Sequence, residues 1–161
     1  MFHVVLYEPE IPQNTGNIAR LCAATGAVLH LIEPLGFFLD DSRMKRAGLD
    51  YWDEVEVRRH AGWGAFTSAH PDAACWYFST RGQKSYTEAD FRAGDFLVFG
   101  PETRGLPAGL LEAAPGRCLR LPMRPGARSL NLANTVAVAV YEALRQTGHT
   151  GLELHYQPDT I

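Results

Sequence analysis

Phe96-Leu97-Val98-Phe99-Gly100-Pro101-Glu102-Thr103-Arg104-Gly105-Leu106-Pro107 decides how this chain is read. Its four leading apolar residues predict a short buried strand. The residues after them, rich in Gly and Pro, predict a loop. The same pattern returns at Leu119-Arg120-Leu121-Pro122-Met123, which runs into Arg124-Pro125-Gly126-Ala127-Arg128-Ser129. Two strand-to-loop exits of this kind, each carrying Arg and polar side chains, predict the two walls of one small-molecule site. The apolar segment Leu130–Leu144 follows. Val136, Val138 and Val140 alternate as in a strand, yet Ala133, Val136, Ala137, Val140, Tyr141 and Leu144 also recur at helical spacing. The segment is too long for an ordinary strand and it ends in helix formers, so a helix stopped by Gly148 is expected. It is apolar nearly all round, which predicts one flank in the core and the other against a partner subunit. A charge placed at Val140 is then expected to split a dimer.

Working outward, Phe2–Tyr7 predicts a first buried strand and Glu8–Gln13 a rigid loop. Asn14-Thr15-Gly16-Asn17 is expected to start a helix that runs through Ile18–Thr25 and is closed by Gly26. Ala27–Ile32 predicts a second strand, completing a βαβ unit with a parallel pair. A turn over Glu33–Gly36, a short helix over Asp40–Arg46, a brief strand over Val55–Arg59 and a helix over Gly62–Ala69 come next. Ala74–Ser79 predicts another buried strand, with Thr80–Lys84 as its loop; Leu106–Ala113 predicts a short helix and Arg117–Met123 the last strand. The alternation predicts an α/β fold: one domain over residues 1–161, with 148–161 as a tail, and a mostly parallel sheet covered by helices on both faces. In such sheets ligands bind beyond the strand C-termini, here Glu8, Ser79, Gly100 and Met123.

Composition narrows the function classes. A chain of 161 residues with 46% hydrophobic and 20% charged residues suits an ordinary globular protein with a full core. The N-terminus has no basic leader and no long apolar stretch, so neither a signal peptide nor a membrane span is expected. The net charge of −3 argues against indiscriminate polyanion binding. Cys22, Cys75 and Cys118 are widely spaced, which predicts buried thiols in a reducing cytosol rather than disulfides or a zinc cluster. No P-loop and no nucleophile elbow is present. Gly62-Trp63-Gly64 lacks a third glycine and reads as structural. The six histidines are scattered, without an i, i+4 pair, so no metal site is expected, and His3 and His30 are expected to be packed within strands.

Three segments remain: Asn14-Thr15-Gly16-Asn17-Ile18-Ala19-Arg20, Phe99–Pro107, and Arg128-Ser129-Leu130-Asn131-Leu132-Ala133-Asn134-Thr135-Val136. In order and spacing they resemble the three motifs of the SPOUT, or α/β-knot, RNA methyltransferases of the TrmH family. The leading Leu6-Tyr7-Glu8-Pro9-Glu10-Ile11-Pro12-Gln13 and Arg46-Ala47-Gly48-Leu49-Asp50-Tyr51 make the chain similar to the TrmL subfamily, which methylates the wobble-nucleotide ribose of tRNA. The resemblance covers about Phe2 to Gly148. It implies a C-terminal trefoil knot, an S-adenosylmethionine site built by the knot loops without a metal, and a homodimer with that site at its interface. It implies 2′-O-methylation of cytidine 34 or a modified uridine 34, leucine isoacceptors included, with the anticodon stem-loop as partner. It implies Phe78, Gly100, Glu102, Leu121, Ser129 and Asn134 around the cofactor, and Arg20, Ser129 and Asn131 in catalysis. Arg43, Arg46, Arg104, Arg124 and Arg128 are expected to meet RNA phosphates. An arginine stays protonated, so Arg20 is expected to stabilise an alkoxide rather than to remove a proton; Glu102, a phosphate or water is left to accept it. Ser129 also reads as an N-cap of the last helix. Two other readings stay open: the same chemistry on ribosomal RNA or another tRNA position, which the lack of an RNA-recognition extension disfavours, and an RNA-binding dimer with a relict pocket.

Overall fold

The computed structural model describes residues 1–40, 42, 46, 49–156 and 158. Of the short helix expected over Asp40–Arg46, Asp41, Arg43, Met44 and Lys45 lie outside the described residues. The strands are β1 (His3–Tyr7), β2 (Val28–Ile32), β3 (Val57–His60), β4 (Cys75–Phe78), β5 (Lys84–Ser85), β6 (Phe96–Phe99) and β7 (Cys118–Arg120). They form one sheet in the order β3-β2-β1-β6-β4-β7-β5, and every pairing is parallel. Parallel sheets are covered on both faces, which is why the inner strands are apolar at consecutive positions. All of β2 and β6 is buried.

Helices α1 (Pro12–Thr25) and α4 (Leu132–Gln146) cover one face. Ile18, Ala19 and Cys22 of α1 and Val136, Ala139, Val140 and Ala143 of α4 pack with Val4, Leu6, Leu29, Leu31, Leu97 and Phe99. Helices α2 (Trp63–Ala69) and α3 (Ala108–Ala113) cover the other, where Phe66 meets Val5, Ile32, Phe96 and Val98. Trp63 belongs to this packing, its ring 5.0 Å from that of Phe66, so Gly62-Trp63-Gly64 is a structural segment. The three cysteines are free and buried; burial pushes the Cys22 thiol up to about 12.

Local expectations are corrected at four places. α1 starts at Pro12 rather than near Asn14, because proline's missing N–H costs nothing in the first helical turn. Gly26 ends it in the left-handed conformation, φ 71°, as expected. β7 stops at Arg120 instead of reaching Met123, since Pro122 cannot donate to a ladder. Lys84, the last residue of the expected loop, instead joins Ser85 in β5, a two-residue edge strand beside β7. The fourth correction concerns α4. Val140 is fully buried in the core, whereas Val138 and Tyr141 are 42% and 48% exposed, so the outward apolar face of α4 does not include Val140.

Four of the six histidines come together in space. His3, His30 and His60 come from β1, β2 and β3, and His70 caps the C-terminal end of α2. His3 Nδ1 and His30 Nε2 are 2.9 Å apart, and His30 Nδ1 and His60 Nε2 are 3.0 Å apart. His30 is wholly buried. Its burial, and then the neighbouring His3, His60 and His70, push the ring down to about 3. The reading of His3 and His30 as packed within strands stands; their neighbours were not foreseen.

Candidate active site

The carboxyl ends of β4, β6 and β7 open onto a cleft of about 610 Å3, within the usual range for small-molecule sites. Its apolar wall is Phe78, Phe99, Leu119, Leu121 and Met123; Phe78 and Phe99 stack at 4.7 Å. Its polar wall is the loop Gly100–Gly105, and Arg128–Leu132 closes the third side. Thus Phe78, Gly100, Glu102, Leu121, Ser129 and Asn131, drawn from three separate segments, border one space. Arg104 and Arg128 are on its rim. Asn134, Arg20, Arg46 and Arg124 are not among the lining residues, and Arg43 lies outside the described residues.

One buried side chain ties the three segments together. Asn14, 6% exposed, donates from Nδ2 to Glu102 Oε1 at 3.2 Å and accepts at Oδ1 from Asn131 Nδ2 at 3.0 Å. The first, second and third motifs therefore meet at Asn14. The Asn134 backbone N–H donates to Asn131 Oδ1 at 3.2 Å. That bond makes Asn131, not Ser129, the N-cap of α4. Ser129 is left exposed on the cleft.

Carboxylates lock the β1–α1 loop to the β6 loop. Glu102 Oε2 accepts from the Glu10 N–H at 2.8 Å and Oε1 from the Ile11 N–H at 3.0 Å. Reciprocally, Glu10 accepts from the Thr103 N–H at 3.0 Å and from its hydroxyl at 2.8 Å. The Thr103 backbone bond, aided by the hydroxyl, holds the Glu10 carboxyl below its ordinary value. Glu8 pairs with Arg104 and keeps that guanidinium charged. With both oxygens already accepting N–H groups, Glu102 is a strut of the loop.

Gly100, on the cleft wall, also answers a demand of the loop itself. A Cβ there would lie 2.3 Å from Leu106 N and 2.4 Å from Gly105 C. The loop folds back on its own backbone at this point, and only glycine leaves it room. Arg20 stands on the exposed side of α1, its guanidinium carbon 4.9 Å from the centre of the Tyr51 ring. The sequence reading missed Asn14 as the junction, although it lay inside the first motif. It also missed Arg81, which lines the cleft and reaches the Leu106 carbonyl at 3.5 Å; only its place in a strand-end loop signalled it.

Known proteins are similar to this chain in sequence and fold. A tRNA (cytidine(34)-2'-O)-methyltransferase of Burkholderia ambifaria is 60% identical over 154 residues, covering 94% of this chain and 99% of that protein. A solved structure described as giving insights into the 2-OH methylation of C/U34 on tRNA superposes with a TM-score of 0.88 at 54% identity, covering 92% of this chain and 97% of that one. An AdoMet-bound rRNA methyltransferase from Sinorhizobium meliloti has a TM-score of 0.80 at 26% identity, over 89% of this chain and 56% of that one. The model of the SpoU rRNA Methylase family matches residues 1–141. With its parallel sheet, three-loop cleft and near full-length similarity, the chain belongs to the SpoU methylase family.

Proposed function

We propose that this protein transfers a methyl group from S-adenosylmethionine to the ribose 2′-hydroxyl of nucleotide 34, cytidine or a modified uridine, in tRNA. The observation that carries the proposal is the junction of three motif loops around one cleft, in a chain 60% identical to a protein named for that reaction. The cleft suits the cofactor: Phe78, Phe99 and Leu121 offer an apolar wall for an adenine, and Gly100–Gly105 offers backbone groups for its edge. Ser129 and Asn131 stand where substrate and cofactor would meet. When bound, S-adenosylmethionine supplies an electrophilic sulfonium methyl.

The residues of the chain must then stabilise a developing alkoxide and let a proton leave. A guanidinium is a cation and no useful base, so the role of Arg20 is electrostatic: it holds a phosphate and the forming oxyanion. Glu102, already bound by three donors, is a poor acceptor, which leaves an RNA phosphate oxygen or water. Arg20 does not line the cleft of its own chain. That absence supports a homodimer in which Arg20 of a second copy reaches the cleft. Thr135 lines the cleft, and Val138 continues outward from it along α4 beside Tyr141, so an unpartnered apolar strip starts at the site. Arg81 and Arg128 on the rim, with Arg46 and Arg124 farther out, are the cations offered to RNA phosphates; Arg104 is partly spent on Glu8. Among the described residues no helix is long and apolar enough to cross a membrane, and cytoplasmic tRNA is the proposed partner.

Nucleoside mass spectrometry of tRNA incubated with the protein and S-adenosylmethionine tests the reading. The expected product is a 2′-O-methylated nucleotide 34. Methyl groups found in ribosomal RNA, with tRNA unlabelled, would refute it.

A further inference from the structure

The histidine cluster lies on the α2 side of the sheet, near its β3 edge, away from the methyl-transfer cleft. His30, His60 and His70 each present one ring nitrogen, all within 4.8 Å of one another. Bonds of about 2.0–2.1 Å to a tetrahedral zinc place ligand nitrogens roughly 3.3 Å apart. The His30 Nδ1 to His60 Nε2 distance of 3.0 Å is already close to that. We propose that His30, His60 and His70 form a binding site for a late first-row divalent cation, zinc foremost, completed by a water or anion.

Four features support a built site. His30 has a partner for its second nitrogen: with Nδ1 bound to the metal, Nε2 carries the hydrogen and donates to His3 Nδ1, 2.9 Å away. A ligand whose second nitrogen is held in this way has a fixed ring orientation. His3 in turn stacks on Phe96 at 4.2 Å, and Phe66 lies edge-on to both His30 and His60, so the rings are clamped by aromatic neighbours. A shallow cleft of about 410 Å3 reaches His70 and Phe96 at the N-terminal ends of β4 and β6, giving an ion a way in and a fourth ligand room. Neutral imidazoles suit zinc, copper or nickel rather than calcium or magnesium. The charge of Arg58 is felt by all four rings. Arg58 is itself paired with Glu56 at 2.7 Å, and that carboxylate opposes it at His3. Binding would tie β2, β3 and the end of α2 together at the sheet edge.

The test is titration of the full chain, stripped with a chelator, with zinc chloride followed by calorimetry. A cobalt(II) spectrum and a thermal melt accompany it. The expected result is one zinc per chain, a four-coordinate cobalt spectrum and a higher melting temperature with zinc. His60→Ala and His70→Ala, both at element ends, should each weaken binding at least about tenfold, while His155→Ala in the tail leaves it unchanged. His3→Phe, which keeps the stack on Phe96, should weaken it by about 10- to 100-fold. No binding by the wild type, or undiminished binding by a folded His60→Ala/His70→Ala double variant, overturns the proposal.

Discussion

Arg20 and Asn14 stand six positions apart on α1 and do opposite things. Asn14 is buried and holds the site together, whereas Arg20 faces outward. Arg20→Ala is therefore expected to leave the thermal melt unchanged and to lower kcat/KM roughly 100- to 1000-fold, the usual cost of one lost oxyanion donor. Turnover within tenfold of the wild type would remove Arg20 from the mechanism. At this scale the sequence showed which segments matter better than what each residue does. Gly100, Glu102 and Asn131 were all singled out, yet Gly100 makes room for Leu106, Glu102 braces Glu10 and Ile11, and Asn131 is the helix cap. The cap at Asn131 is local and of a favoured type, but Ser129 offered a competing one. The partners of Glu102 lie about ninety positions away and the room at Gly100 depends on how a loop folds back, of which residue type carries no trace. The histidine cluster was hidden for the same reason: parallel strands bring His3, His30 and His60 together across intervals that no helical spacing rule inspects.

The strands and the long helices were legible because burial on both faces demands continuous apolar runs. β5 was not, because two residues at an edge bury too little to leave a pattern. The two faces of α4 separate packing from association. Val138→Asp or Tyr141→Asp is expected to give folded monomers in sedimentation. Val140→Asp, by contrast, places a charge in a fully buried site, costs at least about 3 kcal/mol and should unfold the chain. Folded dimers from the Tyr141 variant would contradict the assignment of that face. The clasp between the β1 and β6 loops has its own pH dependence. The folded Glu10 carboxyl sits below its ordinary 4.5. Its contribution is therefore complete above that pH and is lost as pH falls through the lower folded value. Melting temperatures of Glu10→Gln should fall less steeply than those of wild type as the pH is lowered below the ordinary carboxylate value; parallel curves would show that the clasp does not matter to stability.

For the molecule as a whole, the proposed homodimer places Arg20 of a second copy at the cleft, along the apolar strip of α4. Leu121→Arg should block the cleft in its own chain. Mixed with Arg20→Ala chains and allowed to exchange, it is expected to restore about a quarter of wild-type activity, since half the dimers then hold one intact site. No recovery would mean that Arg20 serves its own chain. The central claim is that the junction of loops at Asn14 builds the cofactor cradle. A crystal structure with S-adenosylhomocysteine bound tests it most directly. Its adenine is expected against Phe78, Phe99 and Leu121, beside the Gly100–Gly105 backbone. The ligand bound elsewhere, or a cleft closed by its own loops, would contradict it.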